Sequence, residues 1–451
     1  MCLLVAVLCP AQIPEPKPLD NSGVNVEALT GLQITNLVIL GKVWGFLKYH
    51  HPAVTAGNRD WDRDLFQVMP HVLAAQDQAS ADAVMFRWVT DLGGIPECVR
   101  CAGPLPNTVK LSPDLDWLGD EALLGPELSD LLRKIYVNRV PSQQWYVSLA
   151  SFIRNPQFQR EAAYVAMKTD FGLQVLAVFR FWNVIEYWFP YRDIIGINWD
   201  EVLREYIPKV GLAQTLPEYE RGVLMLAARI NDSHLYISAA GRSRSVTVSE
   251  GGCVFPMNLR FLGNQAVVTA VFVDGLPVER GDVITEIDGT PVSAVVEKLR
   301  PYTGASNEAT ALRSIAIGVT VGPCVEAKIG VLRDGEEKTV NVTRMPKTSG
   351  IRARWIDAIQ SHQVAGPAFR KLSDTVSYLK IGSLKAANIP EYLAAAEKQK
   401  RPDRRSERRS LGADLGRTPS GGATQVVRAN HRRRSVKPGC VRMAGECCRA
   451  A

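Results

Sequence analysis

The stretch Gly275–Val292, GLPVERGDVITEIDGTPV, decides how the middle of this chain folds. Gly281-Asp282 delivers the chain into an alternating run, Val283-Ile284-Thr285-Glu286-Ile287. Asp288-Gly289 then supplies the positive φ angles of a two-residue hairpin turn. Working outward, Gln265–Val273 (QAVVTAVFV) reads as a preceding strand and Val292–Arg300 as a helix. Ala327–Leu332 and Lys338–Val342 form a second hairpin that turns at Asp334-Gly335. Together these make a small β-rich unit over residues 245–345.

The rest of the 451 residues leaves room for several more domains. The apolar fraction of 46% is that of a globular protein with sizeable cores. The net charge of +7 is unevenly placed. Residues 401–451 hold 13 Lys/Arg against 4 Asp/Glu, so the preceding 400 hold 40 against 42. A near-neutral body argues against a nucleic-acid partner. No run reaches the roughly eighteen apolar residues of a membrane helix, so no integral membrane segment is expected. Met1–Gln12 (MCLLVAVLCPAQ) has an apolar core at Leu3–Leu8 and small residues at Cys9 and Ala11, but no basic start. It reads as a secretory signal with a clipped beginning, the alternative being a mature N-terminus, and residues 1–30 as signal remnant and linker. An exported protein, periplasmic or extracellular, is the corresponding expectation.

Nine cysteines include one C-x-x-C, Cys98 and Cys101. No second pair stands at zinc-finger spacing, and the nearest histidines, His71 and His50-His51, fall on predicted helix or turn. A local Cys98–Cys101 disulfide suits an exported chain; inert thiols and zinc are the other readings. The expectation is no metal and no cofactor.

Upstream lies a duplication. From Trp44 to Gln76 the chain matches itself 138 positions later at ten of 33 gap-free positions, among them Trp44/Trp182, Tyr49/Tyr187, Pro52/Pro190, Trp61/Trp199 and Asp62/Asp200. Average composition would give about two matches. Each copy reads as a helix ended by its proline, a turn, and a second helix opening at Trp-Asp. The aromatic stripes read as core packing, because no basic residues interleave with them as nucleic-acid stacking requires. The copies diverge at their ends: Gly94-Ile95-Pro96 in the first stands against Asp232-Ser233-His234 in the second.

Two resemblances follow from these residues. The strands, helix and "GLxxGDxIxxIdG" core resemble a PDZ domain in its bacterial protease form. Asn231-Asp232-Ser233-His234 ahead of it resembles the histidine motif of tricorn-type S41 serine peptidases, relatives of the C-terminal processing proteases. Gly41–Pro52, Phe179–Asp193 and Tyr378–Lys398 are similar to members of that family too. The resemblance implies that His234 is the base for a serine nucleophile, with Ser233 tuning it. It implies a peptide or protein substrate, docked by the PDZ-like unit as an added strand, with Phe255, Met257 and Leu259 near the binding loop. The expected organisation is multidomain α/β. Helical repeats occupy 31–140 and 141–244, the PDZ-like domain 245–345, a linker 346–372, and the first strand and helix of a protease core 373–400.

That core should continue into a buried strand, a glycine-rich turn, the serine nucleophile and an acidic partner. Residues 401–451 carry no Phe, Trp or Tyr and no periodicity, and Ser406, Ser410, Ser420 and Ser435 lack the surrounding pattern. A shifted reading frame of a GC-rich gene would give such a text. A disordered tail and a basic nucleic-acid-binding tail are the competing readings. The chain as encoded is therefore expected to be a catalytically incomplete peptidase, or else a peptide-binding protein without catalysis. Such a tail buries too little apolar surface to offset its ordering entropy. Limited proteolysis should leave a core ending before residue 401, and a resistant fragment running past it would contradict this reading.

Overall fold

The computed structural model describes residues 19–97, 111–140, 144–239, 242–243, 251–346, 350–351, 354, 369–371, 377–379 and 386–399, apart from 153, 159, 163, 165–168 and 236. The architecture is mixed helix and sheet, of the multidomain α/β kind expected.

Among the described residues, eight α-helices build the first half: α1 (Gly31–His50), α2 (Pro52–Thr55), α3 (Trp61–Ala74), α4 (Gln78–Thr90), α5 (Glu121–Val137), α6 (Phe171–Trp188), α7 (Trp199–Gly211) and α8 (Leu216–Ala228). Helices α3 and α4 recur as α7 and α8 at the offset of 138 read from the sequence, starting at Trp61 and Trp199 and at Gln78 and Leu216. Side-chain oxygens cap each start: Asp60 accepts from the Arg63 N–H, and Asn198 from the Asp200 and Glu201 N–H groups. Helices α1 and α6 stop just before Pro52 and Pro190. The residue preceding each proline, His51 or Phe189, is driven to extended backbone (ψ 126° and 117°).

Packing repeats as well. The Trp44 indole N–H donates to the Trp61 carbonyl (3.2 Å), and the Trp61 indole returns a bond to the Trp44 carbonyl (3.1 Å). Trp182 and Trp199 exchange the same two bonds (2.7 and 3.1 Å). Each clasp joins a first helix to its second and satisfies four buried polar groups at once. The copies also exchange charges. Lys42 of the first holds Asp200 of the second (2.9 Å), while Arg180 of the second holds Asp62 of the first. Where α1 meets α6, Gly41 faces Phe179, and Gly45 faces Asn183, whose amide donates to the Gly41 carbonyl (3.0 Å).

The second half of this unit is a β module. Strands β1 (Ser148–Leu149) with β2 (Pro156–Gln157), and β3 (Ser238–Ala239) with β4 (Arg242–Ser243), are short antiparallel pairs ahead of it. The module's strands are β5 (Cys253–Val254), β6 (Met257–Leu262), β7 (Gln265–Val271), β8 (Val283–Ile287), β9 (Thr290–Pro291), β10 (Val321–Gly322), β11 (Glu326–Arg333), β12 (Glu336–Thr343) and β13 (Met345–Pro346). The main sheet is antiparallel in the order β12-β11-β8-β7-β6, with β9 on β8; a second sheet sets β5 between β10 and β13. Helices α9 (Val292–Leu299) and α10 (Glu308–Thr320) pack on it.

The opening stretch folds as its sequence predicts. Asp288 and Gly289 take φ of 50° and 74°, and Asp334 and Gly335 take 53° and 88°. Asp282 is buried, and Arg333 grips both its oxygens (2.7 and 2.8 Å) while the Glu279 N–H donates to it (2.7 Å). Burial works against its charge, but the guanidinium and the N–H outweigh that and hold the carboxyl below its usual range. A disulfide, Cys253–Cys324, ties β5 to the segment after β10 across 71 positions. From residue 350 onward the described residues belong to a separate compact unit, with β14 (Phe369–Lys371) antiparallel to β15 (Ser377–Leu379) and the helix α11 (Ile389–Gln399).

This core makes stability depend on pH. Burial pushes the His50 and His51 imidazoles down to about 4, helped by the charges of Arg139 and Arg59 respectively. In the unfolded chain they titrate near 6.5, so the unfolded state takes up protons first. Stability is intact above about pH 6.5 and falls between there and pH 4, by a few kcal/mol. Asp82, raised to about 6 by burial, opposes this in sign and only partly offsets two histidines. Urea unfolding at pH 7 and pH 5 should show the drop. His51→Asn, which keeps an acceptor for the Ala53 N–H (3.2 Å), should shrink it.

The disulfide closes a long loop, for which chain entropy gives a stabilisation of about 4 kcal/mol as an upper figure. The β module holds no tryptophan, so hydrogen exchange is the suitable readout. Reduction, or Cys324→Ser, should lower protection across residues 253–346 while leaving α1 and α6 unchanged. Unaltered protection in the module would show that the cross-link contributes nothing.

Candidate functional site

Helix α8 ends at Ala228, and Asn231 then turns the chain through left-handed backbone (φ 52°) that a non-glycine residue rarely adopts. Its side-chain amide donates to the Ile195 carbonyl (3.0 Å), fixing this turn to the loop between α6 and α7. The chain runs on through Asp232, Ser233 and His234, of which Asp232 and His234 are thereby held at one edge of a cleft of about 850 Å³. One wall comes from the helical repeats: Tyr191, Ile194, Ile197, Tyr206, Met225 and Arg229. The opposite wall comes from the β module: Arg300, Pro301, Ser306, Asn307 and Glu308. Arg300 is neutralised by both oxygens of Glu308 (2.9 and 3.1 Å), which also holds that carboxyl below its usual range.

His234 and Asp232 form a pair. The Asp232 Oδ1 atom lies 2.8 Å from the His234 Nδ1 and accepts the His234 backbone N–H at 2.9 Å. Asp232 is 15% exposed at its side chain and His234 65%. A carboxylate only accepts, so it selects the tautomer with the proton on Nδ1. That leaves Nε2 as a proton acceptor on an exposed ring beside a cleft, the arrangement a general base needs. Among the described residues, Asp232 is the ring's hydrogen-bond partner.

Ser233 is engaged elsewhere. Its Oγ accepts the Ser306 N–H (2.8 Å), its own N–H donates to the Ser306 Oγ (3.1 Å), and the two hydroxyls are 3.1 Å apart. Among the described residues no hydroxyl bonds to the His234 ring.

Phe255, Met257 and Leu259 are 1%, 1% and 5% exposed. Their side chains pack into the core of the β module, so a bound peptide would not touch them. What this region offers a ligand is backbone: β6 is the last strand of the main sheet, beside α10. Cys98 and Cys101 lie outside the described residues, as do residues 401–451 with their four serines. The sequence reading missed Asp232 as the ring's partner, although it stands two residues before His234. It missed Ser306 and Cys253–Cys324, which only the folded chain brings to their partners.

Among the described residues no cluster of three His, Cys, Asp or Glu side chains could hold a metal ion. None of the described helices is long and apolar enough to cross a membrane.

No protein-family model and no curated protein sequence matches the chain. Among solved structures it is similar to CPAF. A point mutant of CPAF aligns with a TM-score of 0.31 at 13% identity, covering 39% of this chain and 34% of the other. Mature CPAF aligns with a TM-score of 0.29 at 14% identity, covering 43% and 38%. Mature CPAF complexed with lactacystin gives 0.30 at 14% identity over the same shares. The chain thus spans little more than a third of the length of these structures. A likeness at this TM-score fixes neither fold nor activity.

Proposed function

We propose that this chain is a peptide-recognising protein of the S41 serine-peptidase type, in which His234 supplies the general base and Asp232 orients it. The observation that carries the reading is the His234–Asp232 pair at the edge of the cleft between the helical repeats and the β module. A serine hydroxyl attacks a peptide carbonyl only when a positioned base takes its proton, and an imidazole fixed by a carboxylate is suited to that task. The β module is read as PDZ-like. A peptide C-terminus would add as a strand beside β6, the last strand of the main sheet, with backbone hydrogen bonds giving affinity. Export to the periplasm or beyond is part of the proposal, and the Cys253–Cys324 disulfide supports it, since such bonds persist in oxidising compartments.

A second reading has its own observation. The hydroxyl of Ser233, adjacent to His234 in the chain, bonds that of Ser306 and not the ring. On that reading the chain binds peptides without cleaving them.

Peptide titration and cleavage assays separate the two. The chain should bind extended peptides with apolar C-termini and produce no new N-termini from an unstructured polypeptide. A version with the reading frame restored beyond codon 400 should cleave it. His234→Ala in that version should lose on the order of 10⁴-fold in kcat, and Asp232→Asn at least about 10²-fold. Equal cleavage with and without His234 would remove the base assignment. Binding without cleavage in every version would establish the second reading.

A further inference from the structure

The loop Thr303–Asn307 leads from the β module's α9 region into α10, 69 to 73 residues along the chain from His234, yet it touches the histidine turn twice over. Ser306 and Ser233 exchange backbone N–H bonds to each other's hydroxyls, closing a ring whose two hydroxyls also bond. Gly304 brings the two segments close: a side chain there would meet Leu235 at 3.0 Å, Ala228 at 3.4 Å and the Asp232 carbonyl at 3.5 Å. The histidine turn is otherwise held by the Asn231 bond to Ile195 and by the local bonds of Asp232. Those contacts fix its helical side; from the other wall of the cleft Gly304 packs against it, and among the described residues the serine clasp supplies the hydrogen bonds.

We propose that Ser306 is a positioning residue for His234. Its clasp on Ser233 sets the backbone between Asp232 and His234, and so holds the ring's Nδ1 within hydrogen-bond reach of Asp232. The consequence is specific. His234 is mostly exposed, and an exposed imidazole released from its carboxylate prefers the proton on Nε2. Loss of the clasp therefore moves the proton from Nδ1 to Nε2, and the acceptor facing the cleft is lost. The Asn307 cap of α10 follows Ser306 directly, accepting the Thr310 N–H (2.9 Å), so the start of α10 anchors the clasp. The inference rests on His234 being the base of the site, but its readout does not depend on turnover.

The test uses the full chain with ¹⁵N-labelled imidazoles at a pH where the histidines are neutral. The His234 signals are identified by their disappearance in His234→Gln. In the unsubstituted chain the Nδ1-protonated form should dominate. Ser306→Ala and Ser233→Ala should each shift the ring mainly to the Nε2-protonated form, and the double substitution should shift it no further than either single one. Ser306→Thr, which keeps the hydroxyl, should retain the Nδ1-protonated form. Amide spectra check that each variant is folded, and if Ser306→Ala is not, Ser233→Ala decides the matter. Retention of the Nδ1 form after either alanine substitution would overturn the proposal, as would failure of Ser306→Thr to rescue it. Absence of cleavage even in the frame-restored version, with this pattern present, would refute the proposed activity and leave the positioning role standing.

Discussion

Gly45 cannot carry a side chain, and the rest of the helical half depends on that. A Cβ at this position would lie 1.7 Å from the Asn183 Oδ1 atom, and one at Gly41 would lie 2.7 Å from the Phe179 ring. The positions equivalent to Gly41 and Gly45 in the second copy are Phe179 and Asn183, 138 residues on. One copy presents hollows and the other presents the groups that fill them. An exactly symmetric duplication would set glycine on glycine and leave a void, or phenylalanine on phenylalanine and force the helices apart. The divergence at these two positions is what lets α1 and α6 pack closely. The exchanged pairs Lys42–Asp200 and Arg180–Asp62 then lock the copies at a fixed rotation.

This packing is why only the second copy ends in the cleft. The indole clasp of Trp182 and Trp199 fixes α6 to α7, and the loop between them supplies Tyr191, Ile194 and the Ile195 carbonyl that anchors Asn231. The first copy has the same clasp, but at the matching place it runs into Gly94-Ile95-Pro96, which brings no titratable group. Duplication supplied the scaffold twice, and the polar cluster was added to one end.

The features legible in the sequence are those set by local chemistry or by repetition. Asp-Gly pairs demand positive φ, so both hairpins of the β module could be read directly. Ten identities at one offset foretold helices that start 138 residues apart. Met257 and Leu259 alternate along β6 and so share one face, with Phe255 just before the strand. Which face turns inward is decided by the sheet and α10 together, and here it is theirs. The disulfide was hidden for a related reason: nine cysteines allow many pairings, and only the meeting of β5 with β10 selects Cys253 and Cys324.

The four residues Asn231 to His234 show how closely local geometry constrains a role. Adjacent residues on a tight turn cannot all face the same ring. Asp232, two residues before His234, reaches Nδ1 through a short turn and also takes the His234 N–H, so one carboxylate oxygen fixes both backbone and imidazole. Ser233 lies between them and projects away, to Ser306. The division follows from the chain itself: an acceptor at i−2 can fold back onto residue i, whereas the residue at i−1 is turned outward and becomes the contact with the neighbouring module. A serine beside a histidine is therefore not its partner by adjacency, and here the adjacent hydroxyl joins the two walls of the cleft.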